Sequence, residues 1–565
     1  MIERKQALEE LRRQPEVSVL IVGGGINGAG LYRDLALQGI DVLLIDKGDF
    51  CCGSSAGSSR MIHGGLRYLE FGEFRLVRES LMDRNLLLKN APHYVFPLPT
   101  TIPCFKRFSG AISAGLRFFG LGGSRPTHRG LELVNLGLHF YDFYTRKDRI
   151  MPKHSRTSRS KTLDRRPLLD DRVIGSATYY DAWISYPERL GLELLLDAEA
   201  LCPDVRSLNY MALDSGDGDT AVLRDRLTDE TIEVRPKIVV NATGAWIDHV
   251  NINFGNKTQL IGGTKGGHLI LDNKDLYNAL DGEMVYYETS DGRVSIAFPW
   301  LGKCLIGSTD LRIDNPDDAR CDEEEVEYIL ESIRQVFPKL KVGREDIVSR
   351  FTGVRPLAWT DPDRPTVTAS RDHRCDIQEP TGPLRYPIYS MIGGKWTTFR
   401  AFAEQVTDKL LEQLGGTRRV DTDNIPIGGG KDFPKGDEER KAWIEQVAER
   451  TGIPTERVEI LLDRYGTRAS AVATFLTEGD DTPLKNNDDY TVREIEFLIQ
   501  RERVMHLDDL LMRRTSIGLL GEGTPELLDE LADQLTRLRE LTPEQRQAEI
   551  DHTRAIMKEL HSVEI

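Results

Sequence analysis

At 565 residues the chain exceeds what one hydrophobic core usually organises, and it predicts roughly two to four folding units. Its 39% hydrophobic and 29% charged residues, with 50 Gly and 26 Pro, are globular proportions, so disorder is not the default. A net charge of -16 excludes binding to nucleic acid or an anionic membrane through the general field, so an anionic partner or substrate would need a local cationic cluster.

The first stretch, Met1 to Glu16, is charged and lacks the apolar core of a signal peptide, and no later run of about 18 apolar residues could span a bilayer. No two of the 7 cysteines stand at a CxxC spacing, which argues against zinc or a redox dithiol and fits a reducing compartment. A cytoplasmic protein without a metal is expected, with peripheral attachment to the inner face of the cell membrane left open.

Val17 to Val22 is a short β-branched run that ends in Gly23-Gly24-Gly25, followed by a helical pattern from Ile26 to Gln38. Gly39 stops that helix, and Asp41 to Asp46 reads as a second buried strand, completing a βαβ unit. Further strands are expected at Glu233 to Asn241, His268 to Leu271, Val294 to Phe298 and Cys304 to Ser308. Their dispersal suits a second sheet-bearing domain threaded through the first. Arg156 to Arg166 reads as a basic, Ser-rich surface stretch.

Phe399, Phe402, Val406, Leu410 and Leu414 mark one face of a helix, and Ile425 to Gly430 breaks the pattern. From about Lys431 onward the periodicity is helical, at Arg440 to Arg450, Val492 to Val504, Pro525 to Leu538 and Pro543 to Leu560. The expected class is therefore α/β, with a Rossmann-type dinucleotide-binding domain interleaved with a mixed-sheet substrate domain over 1–430. An all-helical C-terminal domain follows over 431–565.

Gly23-x-Gly25-x-x-Gly28 follows a strand and opens a helix, so backbone can approach a pyrophosphate and the helix N-terminal N–H groups can bind it. Asp46 stands at the end of the second strand, where a carboxylate accepts hydrogen bonds from an adenosine ribose. The alternative, a Gly-rich turn in an ordinary α/β sheet, leaves that register of strand, helix and acid unexplained. FAD and NAD share this fingerprint.

Two further turns favour the longer FAD. Ile238 to Gly244 is a buried run ending in small residues, equally readable as a plain strand-to-loop turn. Gly393-Gly394-Lys395-Trp396-Thr397-Thr398 leads into the Phe399 helix; Thr397 or Thr398 could cap it, and Lys395 with the helix N-terminus could face an anion. Ser54 to Leu69 (SSAGSSRMIHGGLRYL) packs small residues beside His63, Arg67 and Tyr68, and could be only a tight polar loop.

These stretches together closely resemble the FAD-dependent glycerol-3-phosphate dehydrogenases, in the flavoprotein superfamily that includes D-amino-acid oxidase. The resemblance rests on VGGGINGAG (Val22 to Gly30), SSRMIHGGLRYLEFGEFRLV (Ser58 to Val77), NATGAW (Asn241 to Trp246), KGGH (Lys265 to His268), GSTD (Gly307 to Asp310), TGVRPL (Thr352 to Leu357) and GGKWTTFR (Gly393 to Arg400). RYGTRA (Arg464 to Ala469) and LLMRRTSIGLL (Leu510 to Leu520) extend it into the helical region.

The resemblance implies FAD as cofactor and oxidation of sn-glycerol 3-phosphate to dihydroxyacetone phosphate, with electrons passed to membrane quinone or, in an oxidase branch, to oxygen. It implies substrate contacts at Arg67, Tyr68, Arg355 and Lys395, to which Lys265 adds a further cation. It places cofactor contacts at Gly23, Gly25, Asn27, Gly28, Asp46, Lys47, Ser58, Ser59, Arg60, His63, Gly244, Gly394, Lys395, Trp396 and Thr397. Oxidising the C2 hydroxyl needs a base within hydrogen-bond reach; His268 is the candidate and His63 its rival, with Arg355 protonated as an electrostatic anchor, and the superfamily leaves an arginine-assisted alternative open. A non-catalytic flavin sensor would require a damaged cation cluster. A homodimer is left open, and no nucleic-acid partner is expected.

The sequence departs from the family pattern in three places. About 16 residues precede the first strand and read as a surface helix. Asp181 to Leu190 is less acidic than expected. Phe105 to Phe119, within Cys104 to Arg129, mixes Phe105, Phe108, Ile112, Leu116, Phe118 and Phe119 with Lys106, Arg107 and Arg117. That mixture suits either a membrane-surface element or a buried helix.

Overall fold

The computed structural model describes residues 4–66, 68, 72–107, 130–146, 149–289, 291–361, 363 and 371–565. The apolar run after the amino-terminal segment forms the strand Glu16–Val22, flanked by Val42–Ile45 and Thr231–Asn241, both parallel to it. Val205–Leu208 and Ile388–Ile392 extend the parallel order on the two sides, and Arg374–Gln378 closes one edge antiparallel. A parallel sheet needs crossovers, so both of its faces are covered. Alternation sorts the side chains. Val19 and Ile21 join the helices Ile26–Leu37, Pro187–Leu201 and Phe399–Gln413 in one core cluster. Leu20 and Val22 face a second cluster, where Ala7 and Leu11 of the amino-terminal helix Arg4–Arg13 are buried. The extra amino-terminal residues thus do form a helix, docked by one face.

The second sheet is mixed. Its long hairpin-like pair is Val95–Cys104 with Gly175–Ile184, antiparallel; Met284–Glu288 joins Val95–Cys104 in parallel, then Val294–Trp300, Lys303–Gly307 and Thr264–Leu271 continue antiparallel. Ile347–Arg355 pairs with Thr264–Leu271. The strands expected at His268 to Leu271, Val294 to Phe298 and Cys304 to Ser308 are present, the one expected from His268 starting four residues earlier, at Thr264.

The two faces of this sheet meet different partners. Leu269, Leu271, Ala297 and Ile306 pack under the helix Glu323–Val336, whose start carries a capping box between Asp322 and Glu325. Ile270, Phe298, Trp300, Leu305 and Phe351 enter one apolar cluster with Val458, Leu461, Leu498 and Leu531 of the C-terminal helices. The helical region after 430 therefore shares its core with the second sheet. Gly428-Gly429-Gly430 is a tight junction: a Cβ on Gly428 would lie 1.9 Å from Glu193 Oε2, and one on Gly429 would lie 2.0 Å from the Tyr465 carbonyl oxygen.

Arg156 to Arg166 forms the edge strand Ser155–Ser158 and the short helix Arg159–Arg165, largely exposed as expected. Of Phe105 to Phe119, only 105–107 lie within the described residues.

Candidate active site

A cavity of about 940 Å³ runs between the two sheets and is lined by both the glycine turn and the strands of the second sheet. Gly23, at φ +108, packs so closely that a Cβ there would lie 2.7 Å from the Ala242 carbonyl oxygen. Only glycine fits that backbone and that space. Gly28 does not line the cavity; its missing Cβ lets the Ile26–Leu37 helix approach the strand end, since a Cβ would lie 1.9 Å from the Gly23 carbonyl oxygen. The cavity wall here is Gly23, Gly25 and Asn27, at the helix N-terminus.

Asp46 lines the cavity, with Oδ2 accepting from the Gly24 N–H at 2.7 Å and Oδ1 from the Gly48 N–H at 2.9 Å. Burial raises its pKa to about 6. Beside it Lys47 bridges to Asp317 at 3.0 Å and lies 4.8 Å from the Trp246 ring, whose Nε1 donates to the same carboxylate at 2.8 Å. That bridge joins the first sheet's loops to a turn of the second. The turn at Gly244, φ +59, also borders the cavity.

The described residues from Ser54 onward meet the second sheet, with Met61–Ile62 paired to the strand Gly175–Ile184. Ser54 Oγ donates to the Val354 carbonyl at 2.7 Å, and Gly57 meets Gly353 so closely that a Cβ on Gly353 would lie 2.3 Å from the Gly57 carbonyl oxygen. Ser58, Ser59 and His63 line the cavity. Arg60 does not, which corrects its assignment as a cofactor contact: it is buried under the sheet, with its guanidinium on Glu188 at 2.9 Å and 4.6 Å from the Trp300 ring. Its buried charge needs that carboxylate more than a solvent-facing ligand could supply.

Gly394, Lys395, Trp396 and Thr397 all line the cavity. The expected side-chain cap of the following helix is absent. Thr397 Oγ1 instead accepts from the His63 N–H at 3.2 Å, and Thr398 Oγ1 is buried without a partner among the described residues. Lys395 Nζ donates to the His63 carbonyl at 3.0 Å and to Ser80 Oγ at 2.9 Å, and lies 4.9 Å from the Tyr68 ring. Burial lowers its pKa to about 7.

Arg355, at the end of its strand, donates to Ser308 Oγ at 2.8 Å and the Thr309 carbonyl at 3.1 Å, with Asp310 at 3.3 Å. Tyr68 and Arg371 complete this end of the cavity. Arg67 lies outside the described residues. Lys265 is turned away, which corrects its assignment to the substrate cluster: its Nζ is held by Asp322 at 2.7 Å and Glu325 at 2.8 Å, and it is not part of the cavity wall. Alternation along the strand explains this, because Lys265 and His268 differ by an odd number of positions and point to opposite faces. Arg371 had no signal in the sequence, being an isolated Arg ahead of the edge strand Arg374–Gln378. Its charge reaches Lys395, Arg355 and His63, on each of which it acts to lower the pKa.

His268 lines the cavity from the middle of the Thr264–Leu271 strand. It stacks on Phe351, and neither ring nitrogen has a hydrogen-bond partner among the described residues. Burial, then the charges of Arg355 and Arg60, push its pKa down to about 3, so the ring is neutral. His63 is also depressed well below the usual range, by burial and then Lys395.

Asn27 Oδ1, Trp396 Nε1 and both His268 nitrogens are thus buried, without a partner among the described residues, and in residues that line the same cavity. Leaving such groups unmet costs about 1–3 kcal/mol each, so they are placed for a polar ligand. With the glycine turn, Asp46 and a second glycine turn at Gly394, the donors and acceptors fit FAD. Gly23, Gly25, Asn27, Asp46 and Lys47 would hold its adenosine and pyrophosphate. Ser58, Ser59, His63, Gly244, Gly394, Trp396 and Thr397 would border the remainder.

Comparison with known proteins agrees. A sequence profile described as FAD dependent oxidoreductase matches residues 18–380, and one described as the C-terminal domain of alpha-glycerophosphate oxidase matches residues 420–546. The chain is 32% identical to glycerol-3-phosphate dehydrogenase of Synechocystis sp. over 90% of its own length and 91% of the relative's. It is 30% identical to D-erythritol 1-phosphate dehydrogenase of Brucella abortus over 89% and 95%. Among solved structures, glycerol-3-phosphate dehydrogenase from Bacillus halodurans complexed with FAD shares the fold at TM-score 0.75, with 24% identity over 99% of this chain and 97% of that one. The matched profiles and the Synechocystis relative place this chain in the FAD-dependent glycerol-3-phosphate dehydrogenase family of oxidoreductases.

Proposed function

We propose that the protein oxidises sn-glycerol 3-phosphate to dihydroxyacetone phosphate and passes the electrons to membrane quinone. The observation that carries this reading is the meeting of Lys395, Arg355 and Arg371 at one end of the cavity that His268 also lines, in a chain of net charge -16. A local cluster of that kind selects a phosphate dianion through charge-assisted hydrogen bonds, and Tyr68 can add its hydroxyl. FAD, when bound, supplies the two-electron acceptor for the hydride from C2. His268, neutral and unpartnered, takes the proton of the C2 hydroxyl, and Arg355 holds the substrate without exchanging a proton. The non-catalytic sensor reading is disfavoured by the three cations Lys395, Arg355 and Arg371 that line the cavity.

Quinone delivery is supported by a second feature. Leu136, Phe140 and Phe143 stand exposed at i, i+4 and i+7 of the helix Leu131–Tyr144, with Ile150 exposed beyond it. The surrounding sequence, 104–172, is basic within an acidic chain, as Arg146, Arg149, Lys153 and Lys161 illustrate. Such a face suits docking at the headgroup boundary. Among the described residues no helix is long and apolar enough to cross a membrane.

The test is anaerobic mixing of the holoenzyme with glycerol 3-phosphate, glycerol or erythritol phosphate, followed by a soluble quinone or air. Bleaching of the flavin by glycerol 3-phosphate but not glycerol, with reoxidation faster by quinone than by oxygen, supports the reading. Fast peroxide formation in air would assign the oxidase branch, and preferential bleaching by the four-carbon phosphate would change the substrate.

A further inference from the structure

The cavity wall from Asp46 to Ser55 has an outer side as well as an inner one. Asp46, Lys47, Gly48, Cys51, Cys52 and Gly53 face the cavity, while Asp49 does not. The Asp49 carboxylate is fully buried and points outward into the C-terminal helical region. There two consecutive arginines of the Leu510–Arg514 turn close on it. Arg513 Nε donates to Oδ2 at 2.7 Å, and Arg514 grips both oxygens, Nη1 to Oδ2 at 2.8 Å and Nη2 to Oδ1 at 2.9 Å.

The arginines are themselves fixed. Arg514 Nε donates to the Glu502 carbonyl at 2.6 Å, and Arg513 reaches Asp508 at 2.6 Å and Asp509 at 2.5 Å. A second strap runs alongside: Asn209 Nδ2 donates to Asp49 at 3.0 Å, the Tyr210 N–H to the Gly48 carbonyl at 2.9 Å, and the Tyr210 hydroxyl to Asp509 at 2.6 Å. Every side-chain acceptor site of Asp49 is thus spent on holding a loop, none on the cavity. A bidentate guanidinium fixes the angle as well as the distance of its carboxylate partner.

We infer that Asp49, Arg513 and Arg514 are positioning residues through which the C-terminal helical region sets how tightly the enzyme retains FAD. The inference rests on reading Asp46 to Ser55 as the wall around the adenosine end of FAD. The clamp touches no group assigned to substrate, so its loss should act on cofactor release before anything else. Coupling of this kind between separate sites is typically worth about 5–150-fold in affinity.

The test compares holoenzymes by the rate of FAD release, read as the rise in flavin fluorescence on dilution, beside the melting temperature. Asp49→Asn and Arg513→Gln should each release FAD at least about fivefold faster than the parent. Glu494→Gln is the control. It breaks an equally buried ion pair of the same helical region, with Arg457 and Arg464, that borders no part of the cavity. It should lower the melting temperature without speeding release. Arg513→Lys, which keeps the charge, should restore part of the retention lost in Arg513→Gln. Equal release from Asp49→Asn and Glu494→Gln at matched loss of melting temperature would overturn the inference, as would parental release from Arg513→Gln if Asp49→Asn does not fold. Asp46→Ala separates the underlying reading: if it too retains FAD as the parent does, the loop does not border adenosine. If it alone loses FAD, the clamp is what fails.

Discussion

The imidazole of His268 lies flat against the ring of Phe351, with centroids 4.9 Å apart and planes 11° from parallel. The stack orients a ring whose two nitrogens have no hydrogen-bond partner among the described residues, leaving them for a ligand. Replacing His268 with Asn should lower kcat by about 10²- to 10⁴-fold, the usual worth of a positioned base, while FAD content stays at the parental level. Steady-state kinetics with flavin absorbance decides this, and a kcat close to the parent's would take His268 out of the proton transfer.

Lys395 gives the pH dependence its sign. Its folded-state pKa is lowered to about 7 by burial, so its cation is present below that value and lost as pH rises through it. A phosphate dianion binds the cation, and kcat/KM reports the free enzyme, so kcat/KM should fall above about pH 7. The acid side belongs to the substrate phosphate, which titrates near pH 6. Lys395→Arg should move the alkaline limb upward because arginine stays protonated. An unmoved limb would assign the titration elsewhere.

Arg355 and Lys265 make a contrasting pair on one sheet. Arg355→Ala removes a cation from the cavity wall, and kcat/KM for glycerol 3-phosphate should drop by about ten- to a hundredfold, as for the loss of a charged hydrogen bond, with flavin content intact. Lys265→Met leaves Asp322 and Glu325 without their shared cation, so the melting temperature should fall while KM changes little. A KM effect from Lys265→Met as large as that from Arg355→Ala would return Lys265 to the site.

Much of this site was legible because backbone demands leave marks in sequence. Gly23 and Gly28 are where a Cβ cannot stand, and the strand, turn and helix around them have their own periodicities. Lys265 and Arg60 were misread for the opposite reason. A cation in a motif shows its charge but not which face of a strand it occupies, or whether a carboxylate distant in sequence, such as Glu188 or Glu325, already claims it. Arg371 had no pattern at all, since only tertiary folding brings it beside Lys395. The run from Gly428 to Gly430 reads in the sequence only as a break in the helical pattern, but Gly428 packs against Glu193 and Gly429 against Tyr465.

The last prediction concerns the exposed face of Leu131–Tyr144. Leu136, Phe140 and Phe143 follow helical spacing on the solvent side, whereas Leu131, Val134, Leu138 and Tyr141 face the core. The exposed set therefore contributes little to folding, and water contact costs each side chain roughly 1.5–3 kcal/mol relative to burial in an apolar phase. Arg146 lies 5.3 Å from the Phe143 ring, placing a cation beside the apolar edge where anionic headgroups would meet it. Replacing Phe140 and Phe143 together with Ser should reduce co-sedimentation with vesicles containing anionic phosphatidylglycerol, and raised salt should weaken what binding the parent shows. Melting temperature and FAD content should stay at parental values, because the core-facing side of the helix is untouched. Unchanged vesicle binding by the double variant would rule out this face as the contact, and a large fall in melting temperature would mean that these rings are packed against protein.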